Sequence, residues 1–151
     1  MATSNPPRMN HVAFCVPPEL LHETGRKEIT AFYEEVYGWK ELDMLRIDGA
    51  RLVLQCHRFD QFVFIVGSDT VTSCAPLDHF GLAVSSLDEF EDVLARAKKF
   101  RERDDRVEII DHEIEDHGVL KLHNFYTRYL FPMMVEIQYY ELPESGGPAP
   151  V

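Results

Sequence analysis

The sequence predicts an α+β fold built from two βαβββ modules. Three observations support this class: a repeated strand segment, a helical apolar stripe after each copy, and three strand-like segments after each stripe. The segment MNHVAFCV, which begins at Met9, returns 77 − 9 = 68 positions later as LDHFGLAV. Repeats of this kind indicate equivalent structural units. Because one module alone cannot bury both faces of its sheet, we expect paired modules with a curved mixed sheet and helices outside.

The first module is predicted at about 9–68. A strand at 11–16 ends before Pro17, and a helix is expected at 26–37 because its apolar residues recur at helical spacing (Ile29, Phe32, Tyr33 and Val36). Gly38 is a suitable C-terminal cap. Three strands are expected at 41–47, 51–57 and 61–66. Asp48-Gly49 predicts a hairpin turn between the first two.

The second module is predicted at about 77–142 and repeats the plan. A strand at 79–84 is followed by a capping box, Ser86 to Glu89, which predicts the start of a helix. The apolar stripe of this helix contains Phe90, Val93, Leu94 and Ala97. Strands are expected near 107–115, 119–128 and 133–140. Residues 67–76 read as a linker, 1–8 as an N-terminal tail, and 143–151, rich in Pro and Gly, as a flexible tail.

The composition restricts the classes of partner. The chain has 151 residues and a formal net charge of −11, which argues against nucleic acid or an anionic membrane surface as the partner. No apolar segment approaches the roughly 20 residues of a membrane-spanning helix, and the N-terminus does not resemble a signal peptide. Three cysteines without paired spacing predict reduced thiols rather than a disulfide framework. These features predict a cytoplasmic protein.

Strand alternation places two histidines and a carboxylate on faces away from the bulky apolar residues. His11 shares a face with Ala13, and His79 shares one with Gly81. Glu136 interrupts an apolar strand, where a buried carboxylate would be costly without a partner. Two histidines and one glutamate form a common ligand set for a divalent metal ion. We therefore regard His11, His79 and Glu136 as candidate metal ligands.

At this point the chain resembles the glyoxalase / bleomycin resistance protein / extradiol dioxygenase superfamily, also called vicinal oxygen chelate proteins. The resemblance covers about residues 9–142 and rests on the topology together with His11, His79 and Glu136. In family members with metal, each module supplies one ligand from its first strand, and the second module supplies another from its last strand. The resemblance thus implies a divalent metal ion as cofactor. Zinc, iron, nickel, cobalt and manganese all remain open.

The resemblance also implies candidate catalytic residues. Extradiol dioxygenases carry a tyrosine ten residues before the glutamate, which corresponds to Tyr126 here, and a histidine acid/base in the first module, near His57. Tyr126 could equally be an ordinary strand aromatic. His57 and a further candidate, His123, could equally have surface or pocket-wall roles. Many members have a fourth ligand on the last strand of the first module, a place that Gln61 or Val63 could occupy.

Two functions of different classes follow from the resemblance. The first is a divalent-metal-dependent enzyme, either a lyase, an isomerase or epimerase, or an extradiol-type dioxygenase, that acts on a small oxygen-chelating substrate. The alternative is a metal-free ligand-binding protein of the bleomycin-resistance type. In both, the partner is a small molecule, and a homodimer is expected. The sequence leaves open whether the site forms within one chain or across a dimer. The turn at 128–132 departs from the Asp-Pro-Asp-Gly-Asn type that is common in the family.

Overall fold

The computed structural model of the protein describes residues 7–143. The chain divides into two compact units, Met1–Thr72 and Ser73–Val151, and the boundary falls within the predicted linker at 67–76. Most of both predicted tails, 1–6 and 144–151, lies outside the described residues. Within the described part of the chain, no helix is long and apolar enough to cross a membrane.

The first unit has the predicted order of one strand, one helix and three strands. Its elements are β1 (His11–Val16), α1 (Glu23–Tyr37), β2 (Lys40–Glu41), β3 (Arg51–Gln55) and β4 (Phe62–Gly67). The sheet order is β1-β4-β3-β2. β1 pairs parallel with β4, and the other neighbours are antiparallel. The result is a mixed four-stranded sheet.

The second unit repeats this arrangement. Its elements are β5 (His79–Ala83), α2 (Leu87–Arg101), β6 (Glu108–Asp116), β7 (Lys121–Arg128) and β8 (Met134–Glu141). The sheet order is β5-β8-β7-β6, again with one parallel pair, β5 with β8. The predicted α+β class and the βαβββ order of both modules are therefore confirmed.

Both helices bury the stripe that the sequence predicts. Every predicted stripe residue is at most 7% exposed, and Phe100 extends the buried stripe of α2. Gly38 ends α1 with a φ of 72°, a left-handed conformation that glycine adopts without strain. α1 begins three residues before the predicted start, after a 3-10 turn at Pro18–Leu21 that was not expected.

The predicted strand at 41–47 is wrong beyond its first residues. β2 ends at Glu41, and a 3-10 turn follows at Asp43–Leu45. Side-chain donors hold this irregular segment: Arg51 Nε donates to the Leu45 carbonyl at 2.5 Å, and Arg26 Nη2 donates to the Ile47 carbonyl at 3.2 Å. The alternation predicts a strand, but short-range backbone hydrogen bonds turn the chain after Glu41, and the two arginine side chains stabilise that turn.

The two faces of the second sheet differ in character. α2 packs on β8 and β6, and most residues of the sheet that face it are apolar (Phe80, Phe125, Val135 and Ile137 are at most 8% exposed). His79, Gly81 and Ala83 of β5 lie on the opposite face and are exposed. This second face carries the candidate site.

Candidate functional site

Three neighbouring strands of the second unit bring the candidate residues into one row. Glu136 of β8 pairs with Gly81 of β5 on one side and with Tyr126 of β7 on the other. Directly paired residues share a sheet face. The spacing of ten residues between Tyr126 and Glu136 in the sequence is therefore a cross-strand contact in the sheet.

Glu136 is only 4% exposed, and both of its carboxylate oxygens accept hydrogen bonds. The Tyr126 hydroxyl donates to Oε1 at 2.7 Å, and Gln138 Nε2 donates to Oε2 at 2.9 Å. The Tyr140 hydroxyl in turn donates to Gln138 Oε1 at 2.6 Å. These donors provide the partners that a buried carboxylate needs, and they fix its orientation.

His79 is held so that one ring nitrogen faces this carboxylate. Its Nδ1 lies 2.8 Å from the Leu77 carbonyl, which can only accept, so Nδ1 carries the hydrogen. The other nitrogen, Nε2, lies 3.3 Å from Glu136 Oε2. In the neutral ring, Nε2 carries a lone pair. This lone pair faces Glu136 Oε2, which is also an electron-pair donor. A proton or a cation between the two atoms would make this arrangement favourable.

Gly81 leaves space beside the carboxylate. A Cβ at this position would lie 3.3 Å from Glu136 Oε2, closer than most side-chain contacts. The small residue therefore keeps the approach to Oε2 open next to His79. The sequence already indicated this, since the residue after the histidine on its face is small in both modules.

Tyr126 is a hydrogen-bond donor at this site. Burial, the hydrogen bond to Glu136 and the negative charge of Glu136 raise the pKa of its phenol above the ordinary value, and the charges of Glu115 and Glu113 add to the effect. The hydroxyl consequently keeps its proton at neutral pH. Its ring also meets the His79 ring edge-on, with centroids 5.2 Å apart.

An open cleft lies beside the His79 end of this face. Its volume is about 550 Å³, within the usual range for small-molecule sites. Leu77, whose carbonyl holds His79, and Met134, which pairs with His79, both line it. Arg128 also lines the cleft, where Glu108 binds its guanidinium through two hydrogen bonds. The cleft thus offers apolar walls, the Arg128–Glu108 pair and two further charged side chains, Arg101 and Asp105.

In the first unit, His11 stacks on Phe62. The two residues pair in register, their ring centroids are 5.0 Å apart, and the planes differ by 7°. His11 Nδ1 lies 2.8 Å from Asn10 Oδ1, so this nitrogen carries the hydrogen and Nε2 is left as the electron-pair donor. The imidazole is thus in the tautomer that matches His79.

The first unit has no carboxylate at the place that corresponds to Glu136. Gly81, two residues after His79, pairs with Glu136, and Ala13, two residues after His11, pairs with Phe64. The counterpart of Glu136 is therefore Phe64, rather than Gln61 or Val63. Val63 is 1% exposed and lies on the opposite face, and Gln61 precedes β4. A phenyl ring cannot ligate a metal.

Two histidines proposed as acid/base candidates have different surroundings. His57 follows β3 in the exposed loop before β4, where its backbone carbonyl accepts a hydrogen bond from Gln55. His123 is 4% exposed. Because side chains alternate along β7, it points to the helix-facing side of the sheet, opposite to Asn124 and Tyr126. Its Nδ1 lies 2.9 Å from His112 Nε2, and its Nε2 lies 2.8 Å from Glu141 Oε2. His123 is therefore absent from the face that carries Glu136.

Comparisons with known proteins identify the fold. No family model and no curated protein matches the sequence. A crystal structure of lactoylglutathione lyase from Agrobacterium tumefaciens matches with a TM-score of 0.62 and 16% identity, over 89% of this chain and 96% of that one. A glyoxalase/bleomycin resistance protein/dioxygenase from Alicyclobacillus acidocaldarius matches with a TM-score of 0.59 and 19% identity, over 90% and 93%.

The chain has the glyoxalase-like fold. A third structure of this fold, the fosfomycin resistance protein FosX from Listeria monocytogenes complexed with Mn(II) and sulfate, matches with a TM-score of 0.58 and 14% identity, over 92% of this chain and 91% of that one. At such identities the likeness concerns the fold. Residue roles in this glyoxalase-like chain must therefore come from its own geometry.

The geometry adds site residues that the sequence did not single out. Gln138 and Tyr140 extend the hydrogen bonds of Glu136, and Asn124 pairs with Gln138 in register. The available signal was a run of alternating polar side chains along β8. Among residues 7–143, no group of three or more His, Cys, Asp or Glu side chains is arranged to hold a metal ion. His79 and Glu136 are the two predicted ligands that the structure brings close together within one unit.

Proposed function

We propose that the protein binds a divalent metal ion through His79 and Glu136; a ligand role for His11 stays a prediction that the family resemblance implies. We further propose that it is a metal-dependent enzyme acting on a small oxygen-chelating substrate, as a lyase, an isomerase or epimerase, or a dioxygenase. The observation that carries the proposal is the approach of His79 Nε2 to Glu136 Oε2, 3.3 Å apart.

The hydrogen bond of His79 supports a ligand role. Metal-binding histidines usually donate the other ring N–H to a carbonyl or carboxylate, which fixes the tautomer. His79 does this through Leu77, and His11 does so through the Asn10 side chain. The carboxylate of Glu136 has two further electron pairs after its bonds to Tyr126 and Gln138, so ligation does not require breaking them.

The side chains around the pair would have distinct roles. A divalent ion bound there would supply Lewis acidity toward neighbouring oxygens of a substrate. Tyr126 holds Oε1 of Glu136 and keeps a proton to donate, because its pKa is raised. The cleft that Leu77 and Met134 line has room for a small molecule, and His79, Tyr126 and Glu136 lie outside its lining. His57 is the proposed acid/base from the first unit, on the strength of the resemblance.

Metal content tests the proposal. Protein purified without a tag or chelator, then incubated with Mn²⁺ and desalted, should retain about one ion per chain. His79→Ala and Glu136→Ala should abolish retention, since each removes an electron-pair donor. His11→Ala tests the third ligand. His117→Ala is the matched control, because this exposed histidine also lies near a carboxylate, Glu115 Oε2, at 3.4 Å.

Retention of the ion by His79→Ala, or equal loss from His117→Ala, would contradict the proposed site.

Substrates named by the fold relatives provide the first activity assays. Lactoylglutathione and fosfomycin should be offered to the Mn²⁺-loaded protein and to Glu136→Ala. Turnover in the first sample alone would assign an activity. Iron-loaded protein that consumes dioxygen with a catechol would instead point to a dioxygenase.

A second candidate function is metal-free ligand sequestration. One observation favours it: Tyr126 and Gln138 already satisfy both oxygens of Glu136, and a protonated His79 would complete the pair without metal. If chelator-treated protein keeps its melting temperature and cannot be loaded with Mn²⁺, Zn²⁺ or Fe²⁺, ligand sequestration replaces metal-dependent catalysis as the proposed function.

A further inference from the structure

The face that carries Glu136 continues into an acidic region farther along the strands. Asn124 pairs with Gln138 on β8 and with Glu113 on β6, and the next row pairs Leu122 with Glu115. Successive rows of one face are about 7 Å apart. Glu113 and Glu115 therefore lie about one and two rows beyond Tyr126 and Glu136.

Asn124 has an acceptor oxygen without a donor. The side chain is 2% exposed, and its Nδ2 donates to Glu115 Oε1 at 2.8 Å. The amide orientation is fixed, because the carboxylate can accept only from the nitrogen. Oδ1 is buried and accepts no hydrogen bond from the described residues. Leaving such an acceptor unpaired is costly, which indicates that a donor belongs there.

The cations near this face are already engaged at its two ends. Glu108 binds Arg128 at the end with the cleft. At the other end, Lys121 lies 3.7 Å from Glu141, and His117 lies 3.4 Å from Glu115. Glu113 has no ion-pair partner between residues 7 and 143. The middle of the face thus has two carboxylates and an orphan side-chain carbonyl oxygen, and among residues 7–143 the ion-pair partner of these carboxylates is His117 alone.

We propose that the ligand of this protein carries a protonated amine or a guanidinium group, which Glu113, Glu115 and the Oδ1 of Asn124 bind. An ammonium or guanidinium supplies N–H donors and positive charge together, as this set requires. The inference rests on the proposed function, in that the same ligand would place its oxygens near His79 and Glu136. The row spacing then sets roughly 7–14 Å between the oxygens and the nitrogen of the ligand.

Agmatine, which has one guanidinium and one ammonium group, is a suitable probe, and uncharged 1,4-butanediol is its control. Both compounds are titrated into ¹⁵N-labelled full-length protein with EDTA present. Agmatine should shift the side-chain amide resonances of Asn124, and 1,4-butanediol should not. Glu113→Gln should raise the dissociation constant about tenfold. Glu91→Gln, an exposed position on α2 with the same charge change, should leave it unchanged.

A second variant separates recognition from a structural role of Asn124. Asn124→Leu removes the orphan oxygen and should weaken agmatine binding while the melting temperature stays the same or rises. No shift with agmatine, or equal weakening in Glu113→Gln and Glu91→Gln, would overturn the inference. The same holds if Ca²⁺ rather than agmatine produces shifts that Glu113→Gln abolishes.

These outcomes are independent of the proposed metal site. Mn²⁺ retention by Glu113→Gln should match the unmodified protein, because Glu113 is not among the proposed ligands. If agmatine fails but Mn²⁺ binds, the ligand class is wrong and the metal proposal stands. If agmatine binds but no metal is retained, the acidic face serves the sequestering function instead.

Discussion

Arg26 shows how a single buried charge organises the irregular part of the first unit. It is 2% exposed, and its guanidinium pairs with Glu41 and donates to the carbonyls of Leu21, Ile47 and Arg51. All four acceptors lie outside regular helix. These three carbonyls also accept backbone N–H groups, so the Arg26 side chain adds a second donor to each and ties the 3-10 turn before α1 to the hairpin before β3.

Replacement of Arg26 should be severe. Arg26→Met leaves the Glu41 carboxylate without its buried cation and removes the second donor from three carbonyls, so we expect the free energy of unfolding to fall by about 3–5 kcal/mol. Urea denaturation followed by circular dichroism measures the change. The neighbouring Lys27 is the control. It makes an exposed pair with Glu23 at 2.7 Å, so Lys27→Met should cost less than about 1 kcal/mol. Equal losses would contradict the assigned role of Arg26.

Single side chains also mark what the sequence could reveal of the candidate site. Alternation was enough to place Glu136, Gln138 and Tyr140 on one face, because a strand has a strict period of two. The bond from His79 to the Leu77 carbonyl has no sequence signal, since it depends on a side-chain torsion and on the path of the preceding loop. The same is true of the orphan oxygen of Asn124.

The start of α2 agrees closely with the capping box read from the sequence. The Ser86 hydroxyl accepts from the Glu89 backbone N–H at 3.1 Å, and the Glu89 carboxylate accepts from the Ser85 backbone N–H at 2.8 Å. The second bond thus goes to Ser85, the residue before the cap. Helix ends of this kind are predictable because the capping contacts are local.

Loss of the cap should lower stability modestly. Ser86→Ala removes the acceptor for the Glu89 N–H and should cost about 1 kcal/mol, whereas Ser86→Asp should retain most of it. Thermal unfolding compares both with Ser85→Ala, in which the backbone donor remains and the missing hydroxyl belongs to the adjacent residue. If Ser85→Ala is as damaging as Ser86→Ala, the hydroxyl of Ser86 is not the cap.

The segment after β2 illustrates the opposite case. Residues 41–47 alternate well enough to predict a strand, yet the Leu45 N–H bonds to the Leu42 carbonyl at 2.9 Å and the Arg46 N–H to the Asp43 carbonyl at 3.1 Å. These short-range bonds turn the chain after two strand residues. Arg51 and Arg26, from other parts of the sequence, stabilise the turn, so a local pattern could not predict it.

Acid should destabilise the fold through carboxylates that are paired in it. Two hydrogen bonds from Arg106 and one from the Tyr129 hydroxyl hold the pKa of Asp104 well below its usual range. His123 likewise lowers the pKa of Glu141. Because the folded pKa lies below the unfolded one, each contribution is complete above about pH 4 and is lost as the pH falls further.

Asp104→Asn tests this dependence. The variant should be less stable than the unmodified protein at pH 7, and the difference in the free energy of unfolding should shrink as the pH falls below about 4. Urea titrations at pH 7, 5 and 3 measure it. Asp105→Asn, an exposed neighbour with the same charge change, should show no such convergence. A constant difference at all three pH values would show that hydrogen bonding, not ionisation, is the source.

The two-module plan was the most predictable property of the chain, because the repeat and the two helical stripes report it independently. The elements of both units follow the predicted order, with boundaries shifted by a few residues. The functional chemistry was less predictable. It depends on which side chains meet across strands, and a register cannot be read from one sequence.

The pairing of Ala13 with Phe64 in one unit and of Gly81 with Glu136 in the other has a consequence for how such proteins diverge. The same backbone position carries a phenyl ring in one copy and a carboxylate in the other, while the helix-facing positions stay apolar in both. Equivalent positions of two similar sheets thus hold a phenyl ring and a carboxylate, so the sheet accepts either without a change of topology. A substitution at such a position can therefore change the chemistry of the face without changing the fold.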